Sequence, residues 1–358
     1  MAPEVSVIMA AYNAEAFLAE SVESILGQTF EDFEFIVIDD HSTDGTARML
    51  SEYAGRENRL AVHRNDENMG LTRSLNRGLD LAGGRFVARH DADDVAVPER
   101  LALQAAYLTA HPEAAVVGGS VRLIDGQGHG EEVFVEPTDP LVIRWRLLFS
   151  NPVAHTTAFW RRETVERLAG RYDESFTCSQ DYDLWSRLAE KAEIHNLPQV
   201  LSAQRRHEDC VSYRHGDRQL AYTAQVSDPQ LRRLLPGEEP SAQDLADVRA
   251  LTSSPLSLLT EERLQLAALR YLKVWRLFRQ EQGTTDRERE QALRLDIEAD
   301  LTKILIHCLK RGALGPGRAI VRDYLGDHPD RTGFLCRLGL KAAGEGLASL
   351  ARRLGAGA

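Results

Sequence analysis

The strongest constraint on this chain is an alternation of β-branched runs and amphipathic stretches along its N-terminal quarter, with acids where the runs end. Val5 to Ala10 is short, apolar and β-branched, as a buried strand requires. Ala11-Tyr12-Asn13 follows, and then Phe17, Leu18, Ser21, Val22, Ile25 and Leu26 recur at helical spacing. Phe33 to Asp39 predicts a second strand, closed by Asp39-Asp40. His41 to Gly45 offers turn and N-cap residues for a helix starting near Thr46. Leu60 to His63 reads as a third strand, Asn68-Met69-Gly70 as a turn, Leu71 to Ala82 as a helix and Arg85 to His90 as a fourth strand. Strictly alternating elements predict an α/β fold with a largely parallel sheet and helices on both faces.

The fourth run leads into Asp91, Asp93 and Asp94, three acids within four residues. Carboxylates this close repel one another unless a cation or hydrogen-bond donors hold them. Oxygen ligands of this kind suit Mg²⁺ or Mn²⁺, and the end of a strand places them in the crevice at the carboxyl edge of the sheet. A solvated acidic turn before a helix opened by Pro98 is the plainer alternative. Neither Gly-x-Gly-x-x-Gly nor Gly-x-x-x-x-Gly-Lys-Ser/Thr occurs, which argues against a nicotinamide site and a P-loop. Tyr12 and the Asp39-Asp40 pair could instead hold a base, by stacking and by accepting a ring N–H; a packed tyrosine and a helix-leading acid are the structural alternative.

With 358 residues there is room for two domains. A net charge of -11 disfavours nucleic acid as a partner. Cys178, Cys210, Cys308 and Cys336 form no CxxC pair and fit a reducing compartment. The N-terminus lacks a basic and then apolar leader, and no stretch reaches about 18 apolar residues. The expectation is a cytoplasmic protein, soluble or peripheral at the inner face of the cell membrane.

Val5 to Thr46 closely resembles the start of the family 2 glycosyltransferases of GT-A fold, and Asn68 to Leu101 resembles their middle portion, with Asp91-Ala92-Asp93 as the DXD motif. The resemblance resumes at Asn151 to His155 with Arg161-Arg162 and at Ser179 to Trp185, and it ends around Arg205 to His207 and Ser212. It implies a nucleotide diphosphate sugar donor, a UDP-sugar being favoured, and a saccharide or lipid-linked saccharide acceptor. By this resemblance Ala11, Tyr12 and Asp40 line the base pocket, and Asn13 and Ala92 belong with them among the nucleotide-sugar contacts. Asp91 faces the ribose, Asp93 binds Mn²⁺ or Mg²⁺, His207 approaches the diphosphate or metal, and Asp181 is the catalytic base. Gln180-Asp181 stands where Glu-Asp is commoner, and the Gln-x-x-Arg-Trp of processive synthases is missing, so one sugar per turnover is expected.

Further along, His111 to Leu123 predicts a strand, Asp125 to Gly128 a hairpin tip and Asp139 to Phe149 a helix. Pro152 to Trp160 should return to the sheet. Thr177 and Gln180 have capping-box spacing, which would put Asp181 in the first turn of a helix, where the dipole favours its anion and Asp183 opposes it. The expected division is a glycosyltransferase domain over 1–215 and a helical domain over 216–358. In the latter Leu264, Ala268, Tyr271, Trp275 and Phe278, then Leu293, Ile297, Leu301, Ile304 and Cys308, share helix faces, with breaks at Pro236-Gly237, Gly283 and Gly315-Pro316-Gly317. Arg337 to Leu354 could lie on an anionic membrane surface or pack within the protein or a homo-oligomer. The rival readings are a non-catalytic nucleotide-sugar-binding scaffold and a nucleotidyltransferase; the latter would need a Gly-rich basic loop after the first strand, which Ala10 to Asn13 is not.

Overall fold

The computed structural model describes residues 2–207, 216–253, 256–326 and 330–345. The chain divides into two compact units, 1–147 with 151–223 and 148–150 with 224–358.

The first unit is built on a nine-stranded sheet: β1 (Val5–Ala11), β2 (Phe33–Asp39), β3 (Leu60–Arg64), β4 (Phe86–Arg89), β5 (Val95–Ala96), β6 (Ala114–Ile124), β7 (Val133–Phe134), β8 (Phe159–Arg161) and β9 (Glu193–Arg205). Their order is β3-β2-β1-β4-β8-β6-β9-β5, with β7 on β6. The long ladders, β1 with β2 and β4, β2 with β3 and β6 with β9, are parallel. β8 runs antiparallel between β4 and β6, so β6 and β9 point the same way as β1 and β4. The carboxyl ends Ala11, Asp39, Arg89 and Arg205 therefore lie along one edge. The sheet is mixed but mostly parallel, the antiparallel additions being strands too short for sequence periodicity to show.

Helices α1 (Leu18–Leu26), α2 (Thr46–Ala54), α3 (Leu71–Leu81), α4 (Arg100–Ala110), α5 (Pro140–Arg146), α6 (Arg162–Ala169) and α7 (Gln180–Ala189) complete this unit. Val5, Val7, Phe35, Val37, Phe86 and Ala88 bury one face of the central strands against Leu18, Val22, Ile25 and Leu101. On α3, Gly78 permits close approach: a Cβ there would stand 2.5 Å from Ile8 Cγ2. Phe35 is fully buried in this core. Phe35→Ala should therefore cost about 3–5 kcal/mol, read as a lower denaturation midpoint at unchanged slope.

Helix α8 (Gly216–Arg233) begins in the first unit and ends in the second, which is helical: α9 (Ala242–Ser253), α10 (Glu261–Gln282), α11 (Arg287–Arg311), α12 (Leu314–Gly326) and α13 (Arg331–Gly344). Leu264, Tyr271, Trp275 and Phe278 of α10 are buried, as are Leu293, Ile297, Leu301, Ile304 and Cys308 of α11. Thr260 caps α10 and Asp286 caps α11, while Gly283 and Gly312 end them in the left-handed conformation. The expected break at Gly315-Pro316-Gly317 is corrected. These residues open α12, whose first turn tolerates proline, and the chain turns at Gly312 instead. In α13, Phe334 and Leu338 are buried and Arg337 meets Glu298 at 2.7 Å, so this part packs within the unit. Residues 346–354 of the amphipathic segment, with Cys210 and Ser212, lie outside the described residues. Among the described residues, no helix is long and apolar enough to cross a membrane.

Candidate active site at the carboxyl edge of the sheet

Where β1 ends, Ala11 pairs with Asp39 and its carbonyl accepts the Asp40 amide at 2.8 Å. Tyr12 then leaves the sheet half-exposed, with an aromatic face available for stacking. Asn13 adopts φ 49°, a left-handed conformation that asparagine tolerates. Its side-chain oxygen accepts from Thr43 N at 2.8 Å, and its own amide donates to Ser42 Oγ at 3.1 Å. Asn13 thus ties the loop after β1 to the loop after β2. Gly45 is the N-cap of α2 without a side-chain bond; Asp44 instead accepts from Thr46 N and Glu15 N.

Asp40 is buried and strongly engaged. It accepts from Asn65 Nδ2 at 2.6 Å, Met69 N at 2.8 Å and Gly70 N at 2.8 Å. Only the last of these reaches Oδ2, which keeps capacity for one more donor. The carboxylate named for the base pocket therefore also fastens residues 65–70. Neighbouring Asp39 is held by Arg64 at 3.0 Å.

The acid turn after β4 has an internal counter-charge that sequence reasoning missed. Arg89 is 1% exposed and its Nη2 binds Asp91 Oδ1, while its Nε and Nη1 find no acceptor among the described residues. Strand alternation could have flagged it: Phe86 and Ala88 face the apolar core, so Arg89 faces the other side. The Asp91 carbonyl accepts from Ser21 Oγ at 2.8 Å, and Ala92 is buried beside it. Asp93 meets His207 Nε2 at 2.9 Å. Burial, then the nearby Asp91 charge, push the Asp93 carboxyl above its ordinary range, with His207 opposing. Asp94 is fully buried, and burial with the Asp91 and Asp93 charges pushes it well above that range. A divalent cation would relieve this repulsion further. Asp93 and His207 offer oxygen and imidazole ligands suited to Mn²⁺, so the donor set fits a divalent ion. Among the described residues no three His, Cys, Asp or Glu side chains form a ready-made metal cage.

Asp181 is the second residue of α7, but the capping box is not formed. Ser179 is the N-cap at φ 60° with no side-chain bond, and this left-handed entry leaves Thr177 beside Tyr222 rather than at the helix start. Asn151, which sequence reasoning gave no role, donates to Asp181 Oδ2 at 2.8 Å. Burial raises the Asp181 carboxyl to about 6; Asp91 adds to the rise, and main-chain N–H groups and Arg89 oppose it. Burial thus outweighs the helix dipole. Asp183, expected to push against Asp181, is instead bound by Arg187 at 2.7 Å. Tyr172 is buried and His155 half-buried, 2.9 Å apart, and both feel the Arg89 charge too, so Arg89, Asp91, Tyr172, His155 and Asp181 share one electrostatic neighbourhood.

The family described as Glycosyl transferase family 2 matches residues 6–168. EpsE of Bacillus subtilis (strain 168) is 36% identical over 216 residues, covering 59% of this chain and 76% of its own. The amylovoran biosynthesis glycosyltransferase AmsE of Erwinia amylovora is 30% identical over 215 residues, covering 59% and 79%. Among solved structures, S. aureus TarS 1-349 in complex with UDP-GlcNAc superposes with a TM-score of 0.50 at 19% identity, over 84% of this chain and 80% of that one. Mannosyltransferase PcManGT from Pyrobaculum calidifontis, in complex with GDP-Man and Mn2+, does so at 0.50 and 18%, over 92% and 89%.

Proposed function

The chain belongs to glycosyl transferase family 2 and has the GT-A fold, and from that premise we propose that it moves one sugar from a nucleotide diphosphate sugar to an acceptor hydroxyl with inversion. The observation that carries the reading is that Asp181 lies within electrostatic reach of Asp91 and of the Arg89 guanidinium that binds it. One acid able to take a proton stands near a second group of acids able to hold a diphosphate through a cation.

In this reading Tyr12 stacks on the base, and the open position of Asp40 Oδ2 accepts its ring N–H. Asp91 faces the ribose with Ala11, Asn13 and Ala92 shaping the cleft, and Asp93 with His207 holds the metal. A divalent ion there supplies Lewis-acid neutralisation of the departing diphosphate. Asp181, aimed by Asn151, takes the proton from the attacking hydroxyl while the anomeric carbon has oxocarbenium character. UDP-sugars are the favoured donors, as in the TarS complex with UDP-GlcNAc. The acceptor is a saccharide or lipid-linked saccharide of surface polysaccharide assembly, in keeping with the names of AmsE and the O-antigen biosynthesis glycosyltransferase WbnJ. The protein works in the cytoplasm or peripherally at the inner membrane face.

Calorimetry with UDP, GDP and dTDP, with and without Mn²⁺, tests the reading. One nucleotide should bind with a metal-dependent gain, and a chain indifferent to all three would overturn it. Because the base and metal contacts lie in the first unit, a chain cut after residue 223 should keep nucleotide affinity within a few fold. It should lose acceptor use first, measured as transfer compared with donor hydrolysis.

A further inference from the structure

The end of β9 grips the acid turn at several points. Arg205 is 4% exposed and every hydrogen-bonding nitrogen it has is used. Its main-chain N donates to Asp94 Oδ1 at 2.8 Å, its Nε to the Asp93 carbonyl at 3.0 Å and its Nη1 to the Asp125 carbonyl at 3.1 Å. Nη2 reaches Glu20 of α1 at 2.5 Å. The guanidinium lies over the Phe17 ring at 4.7 Å, and the same ring packs against His207 at 4.9 Å. Two residues beyond Arg205, His207 holds the Asp93 carboxylate.

Resting on the metal reading above, we propose that Arg205 is a positioning residue that fixes the Asp93-Asp94 turn for the divalent ion before any ion arrives. Within the turn itself, the Asp94 amide reaches the Asp91 carbonyl only at 3.4 Å, so little internal bonding holds it. Its acids repel, and the repulsion favours any rearrangement that separates them. A guanidinium fork satisfies the Asp93 main chain and reaches Asp125 and Glu20 from one rigid plane. With that fork in place, the carboxylate of Asp93 does not have to be ordered when metal and diphosphate bind, and pre-organisation of this kind raises affinity. A lysine cannot reproduce it, because a single ammonium on a flexible stem cannot span the three acceptors.

The test is calorimetry of UDP binding, or of whichever of GDP and dTDP binds better, in chelator and in Mn²⁺, for wild type, Arg205→Lys, Arg205→Gln and Glu20→Gln. In both Arg205 variants metal-free affinity should stay within about twofold, while the gain from Mn²⁺ falls about fivefold. Glu20→Gln, at an exposed site, should lower that gain about two- to threefold, so the idea stays testable should the Arg205 variants not fold. A merely structural role predicts a lower Tm with the Mn²⁺ gain intact, and that result in any folded variant would overturn the proposal. A wild-type protein with no Mn²⁺ gain would remove the metal reading along with it, so the two failures are distinguishable.

Discussion

Asp181→Asn should lower sugar transfer by roughly 10²–10⁴-fold, the usual contribution of a general base. The asparagine keeps the shape and can still face Asn151, but it has no basic oxygen. A sugar hydroxyl is too weak an acid to ionise beforehand, so its proton must leave as the new bond forms. Nucleotide affinity should change little, because Tyr12, Asp40 and Asp93 are untouched. Normal turnover in the variant would move the base elsewhere. Asp183 would be a poor replacement, since Arg187 occupies its carboxylate at 2.7 Å.

The same residue gives the pH dependence a sign. Burial lifts the folded carboxyl to about 6, above its unfolded value. Its contribution to stability is full below the ordinary carboxylate range and is lost as pH rises through about 6. Activity runs the other way, because the proposed base must be ionised: kcat/KM should climb through about pH 6 and level off. Asp181→Asn removes a poorly solvated anion, so its Tm at pH 8 should equal or exceed that of wild type. A variant that melts well below wild type at pH 8 would mean that the carboxylate stabilises the fold.

Much of the sheet was legible because β1, β2 and β4 are apolar runs that end in or lead into polar residues at the same edge. β5 and β7, two residues each, and β8, three residues, were not, since periodicity needs a longer run than that. The acids of the site could be read from their clustering, but the partners that set their chemistry could not. Arg89 looks like a stray charge in a strand until Asp91 is seen on its Nη2. Asn151 and Asp181 are 30 residues apart, and Arg205 and Glu20 are 185 apart. Local pattern carries no information on such pairs. The capping box failed for the complementary reason. Thr177 and Gln180 have the right spacing, but the left-handed turn at Ser179 is set by how the chain enters α7, which spacing alone does not encode.

Asp93→Ala should have opposite effects with and without metal. Without metal, a nucleotide diphosphate bound as proposed would bring negative charge toward Asp93, whose carboxyl burial and the Asp91 charge already make costly to ionise. Removing one carboxylate lowers that repulsion, so metal-free UDP affinity should hold or improve. With Mn²⁺ the order should reverse, because in the proposed reading Asp93 would hold the ion and only His207 would be left to do so without it. A wild-type gain of about tenfold, equivalent to about 1.4 kcal/mol, should shrink toward none. Asp93→Asn separates charge from shape: it keeps a carbonyl oxygen near His207, and its gain should fall between the other two. The fold should survive both changes, because the Asp93 carbonyl held by Arg205 Nε belongs to the main chain and remains. Calorimetry of the three proteins in chelator and in Mn²⁺ measures all of this. An undiminished Mn²⁺ gain in Asp93→Ala would take the metal away from this turn.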